Sequence, residues 1–385
     1  MNTLFDDLRP YIQEEIAPAM QRIADSEYFP MMAKFIFPEK DVEEMRNIVR
    51  HIRTTYEFQM KIMYYFNKVV IERYADSFIF DGVEYLDPEK SYLFISNHRD
   101  IMLDSSLMQY MLHINGFNTT EITFGDNLMS SQLIIDIGKS NKMFKVVRGG
   151  NMRSFYSQSL HLSEYIRYTI KGKKESIWIA QRGGRTKDGN DATDQGIIKM
   201  FCMSDTDDPI RSADELNMVP VAISYQMESC DILKTREVYM SRNQAKYIKQ
   251  KGEDLNSILT GITQPKGNIH ISVCKPIRRN ELEAIDYNQP NEFYKALATL
   301  IDQRIYKNYV LHNNNYIAHD IRSGENTFAA HYTSDEKAAF IAQIEEMLCQ
   351  IEGEKDALTS IFLDIYANPV ENQLRNNVRR LPITN

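Results

Sequence analysis

No apolar run in this chain approaches the roughly 18 residues that a membrane-spanning helix needs. The opening stretch, MNTLFDDLRPYIQEEI, carries early acids and no apolar core, so no secretory leader is expected. Cysteine is scarce. The four present, Cys202, Cys230, Cys274 and Cys349, form no CxxC pair, which argues against a zinc site or a disulfide framework and fits a reducing cytosol. Positive charge is also in short supply. The net charge of −8 argues against a general nucleic-acid binder. Internal repeats and low-complexity segments are missing too, so the 385 residues read as one large folded unit or two to three modules.

What is present divides into three parts. Residues 1–85 read as a helical N-terminal region. Asp41 to Glu44 looks like a capping box, and Met45, Ile48, Val49, Ile52, Tyr56, Met63, Phe66 and Val70 recur at helical spacing. Residues 86–285 alternate short apolar runs with helix-like stretches. The runs are YLFISN, EITFGD, MFKVVRGG, SIWIAQRGG, MVPVAISYQ and NIHISVCKPI. That alternation predicts an α/β domain with a mixed, largely parallel sheet flanked by helices. Chemistry is then expected in loops beyond the carboxyl ends of the strands. Residues 286–385 read as a helical C-terminal region, with a second capping box from Thr333 to Glu336. The Pro-bounded piece YFPMMAKFIFP is expected to pack in the core rather than touch a membrane.

Four stretches of the middle part carry chemistry-bearing residues. In LFISNHRDIMLDSS a buried strand ends just before His98. A histidine there can be open to a cleft while the scaffold fixes its orientation, and it is the natural general base near neutral pH. A base of this kind needs a carboxylate to fix its tautomer and stabilise the imidazolium. Both Asp100 and Asp104 lie within reach in sequence. In MFKVVRGG the strand ends on Arg148 before two glycines, a placement suited to gripping a phosphate. In IWIAQRGGRTKDG the strand runs into Arg182, Gly183, Gly184, Arg185, Thr186 and Lys187, a flexible loop with fixed positive ends that can cradle a phosphate. A lone RGGR also occurs in RNA-binding loops, but a single copy in an acidic chain makes RNA the poorer reading. The fourth stretch, MVPVAISYQ, is a buried strand with Pro220 early in it, which limits it to a strand start or an edge. From Lys139 to Lys187 twelve basic residues face two acidic ones, so an anionic partner is expected to dock on that segment.

Taken in order, the four stretches resemble the blocks of the glycerolipid acyltransferase superfamily, most closely its glycerol-3-phosphate acyltransferase branch. The residues that carry the likeness are Asn97-His98 with Asp104, Phe144 with Arg148, Arg182-Gly183-Gly184-Arg185-Thr186, and Val219-Pro220-Val221. The run from Gly267 to Ile277 is similar to the family's closing strand, so the likeness spans residues 86–280 or so. Two departures stand out. The family has four residues between His and Asp, whereas five separate His98 from Asp104 here, and the usual position is taken by Leu103. The acidic residue of the third block is Arg182, or Gln181 one earlier, which puts the acceptor in question.

The resemblance implies an O-acyltransferase that moves a fatty acyl group from acyl-CoA or acyl carrier protein to the hydroxyl of glycerol 3-phosphate or 1-acylglycerol 3-phosphate. It implies His98 as general base, with Asp104, ahead of Asp100, as the orienting carboxylate. Arg148, Arg182, Arg185, Lys187 and Lys199, with Gly183, Gly184 and Thr186, would hold the acceptor. No metal or cofactor is implied, nor any nucleic-acid partner. The expected location is the cytoplasm, peripheral to the inner face of the membrane. Two rival readings stay open: the same chemistry on an amino- or hydroxy-lipid acceptor, and a non-catalytic protein that binds phosphate or nucleic acid through the basic segment.

Overall fold

The apolar runs become strands because each is short and bounded by turn residues, and the inner ones are buried on both pleat faces, as a sheet covered on two sides requires. The structure is a computed structural model that describes residues 3–377 apart from 148, 150, 151, 243–246, 248, 249 and 251. Seven strands form one sheet: β1 (Ser77–Asp81), β2 (Leu93–Ser96), β3 (Glu121–Gly125), β4 (Met143–Val146), β5 (Ile177–Ala180), β6 (Met218–Tyr225) and β7 (Asn268–Val273). Their spatial order is β1-β7-β6-β2-β5-β3-β4. Every neighbouring pair is parallel except β6 and β7. The expected mixed, largely parallel α/β sheet with flanking helices is what forms.

Alternate residues of the strands feed two cores. Phe94, Trp178, Val219, Val221 and Ile223 face one side, with the helix Leu103–Ile114 and the N-terminal helices. Leu93, Ile95, Ile177, Ile179 and Met218 face the other, with the long helix Pro290–Asn308. A third cluster, around Phe340, Phe362 and Tyr366, joins the C-terminal helices to one another. Pieces of YFPMMAKFIFP pack as expected: Phe29 and Ala33 are buried in the first core, although Met31 is exposed.

Several local expectations meet the structure differently. The N-terminal stripe does not form one helix; it breaks between Arg50 and Thr55. The helical N-terminal region also supplies the edge strand β1, which pairs with β7 from Ser77↔Asn268 to Asp81↔Ser272. Pro220 sits in an inner strand, between β2 and β7. Its carbonyl accepts from the Cys274 amide at 2.9 Å, one residue beyond the end of β7 at Val273. In an extended strand a residue's N and O point the same way, so the missing N–H faces the place where the neighbouring ladder has ended. The Thr333–Glu336 capping box forms, whereas Asp41 caps its helix alone, accepting from the amides of Glu43 and Glu44, and Glu44 pairs with Lys40.

Candidate functional site

β2 is the central strand, and the chain leaves its carboxyl end through Asn97. That residue continues the sheet with its side chain. Its Nδ2 donates to the Ile223 carbonyl at 2.9 Å, and its Oδ1 accepts from the Ile223 amide at 2.8 Å. The next residue, His98, is therefore delivered at a fixed place. Its carbonyl accepts from the Thr186 amide at 2.9 Å, which ties it to the Arg182–Lys187 loop. The imidazole lies edge-on to the Trp178 ring, with centroids 5.8 Å apart at 74°.

Asp104 stands 2.9 Å from His98, Oδ2 to Nδ1. The same oxygen accepts from the backbone amides of Arg99 at 2.6 Å and Asp100 at 2.9 Å. The turn Arg99–Met102 thus wraps its amides around the carboxylate. This absorbs the extra residue between His98 and Asp104 and lets the carboxylate reach the ring from the first turn of the helix Leu103–Ile114. Oδ1 accepts from the Tyr225 hydroxyl at 2.8 Å. A carboxylate can only accept, so the ring proton sits on Nδ1 and the lone pair on Nε2. Among the described residues Nε2 has no hydrogen-bond partner, and it is not sealed from solvent.

Asp100 does something else. Its Oδ1 accepts from the amides of Met102 and Leu103, both at 2.8 Å, capping that helix. Its Oδ2 accepts from the Ser229 hydroxyl. The two carboxylates that the sequence left as alternatives therefore occupy separate positions, and Asp104 is the one against the ring.

Beneath the turn lies a buried ionic network. The Arg99 guanidinium donates to Asp191, to Glu228 at 3.3 Å and to the Gly189 carbonyl at 3.3 Å, and it covers the Tyr309 ring at 5.1 Å. Lys234 donates to Glu228 at 2.6 Å and to the Arg99 carbonyl at 2.8 Å. Burial alone would lower the pKa of Arg99, but Asp191 and Glu228 outweigh it and hold the value well above the ordinary range. Burial pushes the Asp191 carboxyl up, against the pull of Arg99. Asp191, Glu228, Lys234 and Tyr225 went unnoticed in the sequence. Only Tyr225 left a signal there: it closes a largely apolar strand with a hydroxyl that burial obliges to find a partner.

The other expected residues are less uniform. Arg185 is 9% exposed, and its Nη1 is buried without a hydrogen-bond partner. It lies near enough to Cys230 for its charge to oppose the upward push that burial and then Asp100 exert on that thiol. Gly184 has φ +87°, a conformation that favours glycine, whereas Gly183 does not. Arg182 is partly exposed and donates to the Asn190 carbonyl at 3.3 Å. The Thr186 hydroxyl bonds Asp188 at 3.1 Å. Lys187 is already paired with Glu237, and Lys199 is exposed on the helix Gln195–Phe201 with no contact to His98. Arg148 lies outside the described residues.

The basic segment is also less available than its count suggests. Lys142 pairs with Glu175 at 2.9 Å, and Lys173 pairs with Glu121. Arg167 and Lys171 share Glu215 at 2.8 and 2.7 Å. Three of the acids that answer this segment, Glu121, Glu215 and Glu237, come from outside it. Among the described residues no group of three or more His, Cys, Asp or Glu side chains is placed to hold a metal ion, and no helix is long and apolar enough to cross a membrane.

No family model and no curated protein matches the chain. Among solved structures it aligns with the 1-acyl-sn-glycerophosphate (LPA) acyltransferase PlsC from Thermotoga maritima, over 75% of this chain and 92% of that one. The identity is 13% and the TM-score 0.34. An overlay that loose assigns no chemistry to this chain.

Proposed function

We propose that this protein is an acyltransferase, with His98 as its general base. The observation that carries the reading is the 2.9 Å contact of Asp104 with Nδ1 of His98, which leaves Nε2 of a scaffolded histidine without a hydrogen-bond partner among the described residues. The order of the four sequence blocks supports the same class. In the reaction, Nε2 takes the proton of an acceptor hydroxyl as its oxygen attacks the carbonyl carbon of an acyl thioester. Asp104 stabilises the imidazolium. The tetrahedral intermediate then collapses, the carbon–sulfur bond breaks, and the proton on Nε2 passes to the departing thiolate.

The donor in this reading is acyl-CoA or acyl carrier protein, and the acceptor is glycerol 3-phosphate or its 1-acyl derivative. Arg185, with an unanswered buried N–H, is the best placed of the described cations to meet the acceptor's phosphate; Arg182 and Lys199 would assist from the surface. Lys187 is less suited, since Glu237 occupies it. The missing carboxylate of the third block favours one alternative, an amino- or hydroxy-lipid acceptor. The protein would work at the inner face of the membrane from the cytoplasm.

The test is thiol release from palmitoyl-CoA and from palmitoyl-acyl carrier protein, with glycerol 3-phosphate, lysophosphatidic acid and amino-lipid acceptors in parallel. Wild-type protein is expected to release thiol with one of them. His98→Ala is expected to lose roughly a thousandfold or more in kcat while keeping acceptor binding. A wild-type protein inert with every acceptor and both donor types, yet able to bind phosphate, would overturn the enzyme reading.

A further inference from the structure

Tyr225 closes β6 at its carboxyl end, and its side chain is fully buried beside the catalytic turn. Its hydroxyl donates to Oδ1 of Asp104 at 2.8 Å, from a residue 121 positions away in the chain. The other carboxylate oxygen is already crowded by His98 Nδ1 and the amides of Arg99 and Asp100. On Oδ1 the phenol is the hydrogen-bond donor the described residues supply. A phenylalanine would fill the same volume in the apolar core, so packing does not account for the hydroxyl.

We propose that Tyr225 is a positioning residue for the proton relay: its hydroxyl holds Asp104 against His98 and sets how strongly Asp104 stabilises the imidazolium. This rests on the reading of His98 as general base given above. Burial, and then the charge of Asp104, push the phenol's pKa well above its ordinary value, so it remains a donor wherever His98 titrates. Asp100 and Glu228 also act on the phenol, and Tyr309 lies within the field of Asp104. All three stay in place when only the hydroxyl is removed.

The direction of the effect follows from charge. A hydrogen bond to the carboxylate spreads its negative charge. Without it Asp104, still kept near the ring by the Arg99 and Asp100 amides, turns more of its charge on the imidazolium, and His98 needs a higher pH to become a free base. In Tyr225→Phe the acid limb of the kcat/KM profile is expected to move up by about 0.5–1 pH unit, with kcat down roughly tenfold. Placing 3-fluorotyrosine at position 225 makes a stronger donor of the same size and is expected to move the limb the other way. That second replacement keeps the test decisive if Tyr225→Phe does not fold.

The ring shifts of His98 followed by NMR against pH read the same coupling without turnover. Should wild type release no thiol, or His98→Ala keep full activity, the acyltransferase reading falls, and the NMR titration alone still decides on Tyr225. Acid limbs and His98 titrations that superimpose on wild type in both variants would overturn the role of Tyr225, whatever the change in rate.

Discussion

The Asp100 carboxylate meets Ser229, 129 residues further along the chain, and not His98. With its second oxygen it caps the helix that carries Asp104. One turn therefore holds two acids of different kinds: Asp100 fixes the backbone, and Asp104 meets the His98 imidazole.

The kinetics of the two asparagine variants should separate accordingly. Asp104→Asn replaces a pure acceptor with a group that can present N–H to Nδ1, which favours the wrong tautomer. Its kcat is expected to fall by roughly a thousandfold to ten-thousandfold. Asp100→Asn keeps an oxygen for the Met102 and Leu103 amides, so its kcat should fall tenfold or less. Its stability should fall by about 1 kcal/mol, as for a weakened cap. Equal losses of kcat would refute the division of labour.

A second prediction concerns the buried ions. Arg99→Met leaves Asp191 and Glu228 with a negative charge too many in a site closed to water. The expected loss is about 3–5 kcal/mol in urea unfolding, because one partner of a buried ionic network has gone. Adding Asp191→Asn should recover at least about 1 kcal/mol, since the two residues share one contact and their effects do not add. If the double variant is the sum of the singles, Asp191 and Arg99 are not coupled as their contact implies.

Much of this could be read from the sequence, and the limits have physical causes. The inner strands β2, β5 and β6 were legible because both faces of each are buried, which leaves nearly unbroken apolar runs. β1 was not: SFIFD is short, lies in a segment with helical periodicity, and acquires its meaning only by pairing with β7. His98 and Asp104 were legible as a block, but not how the extra residue is absorbed, because that depends on the Arg99 and Asp100 amides turning inward. How much of the basic segment is available was not legible either. A local charge count is blind to acids such as Glu121, Glu215 and Glu237, which reach it through the fold.

Asp302 should leave a mark on the pH dependence of stability. It lies on the helix Pro290–Asn308 and accepts from the amide of Thr193 at 2.8 Å and from the Thr193 hydroxyl, anchoring the segment after the glycine loop. Burial raises its carboxyl from 3.8 to about 6, despite those two bonds. The folded state thus binds this proton more tightly than the unfolded state. The stability it contributes is greatest below pH 4 or so and is lost as the pH rises to about 6. Asp302→Asn keeps an acceptor for Thr193 without the buried charge. Compared with wild type by calorimetry from pH 4 to 7, it should gain about 2 kcal/mol at the upper end and show little gain at the lower. A constant difference across that range would mean that folding does not raise the pKa of Asp302.

The final prediction concerns the clamp between the third sequence block and the C-terminal helix Lys355–Arg375. Gly189 has φ +74°, and a Cβ there would lie 2.2 Å from the Ile365 carbonyl oxygen, a backbone atom with no rotamer to escape through. The same contact is flanked by Asn368, whose Nδ2 donates to the Asp188 carbonyl at 2.7 Å. The Gly189 carbonyl also accepts from Arg99 at 3.3 Å, so moving this residue disturbs the turn that carries His98. Gly189→Ala is expected to cost about 1–3 kcal/mol through strain and displacement. Because the helix must back away from the loop, amides of residues 355–375 should exchange faster with deuterium, and kcat should fall along with stability. Asn368→Ala, which loses one hydrogen bond without a clash, should cost about 1 kcal/mol and leave kcat nearly unchanged. If Gly189→Ala leaves both the exchange of this helix and kcat at wild-type values, the helix does not hold the loop in its working position.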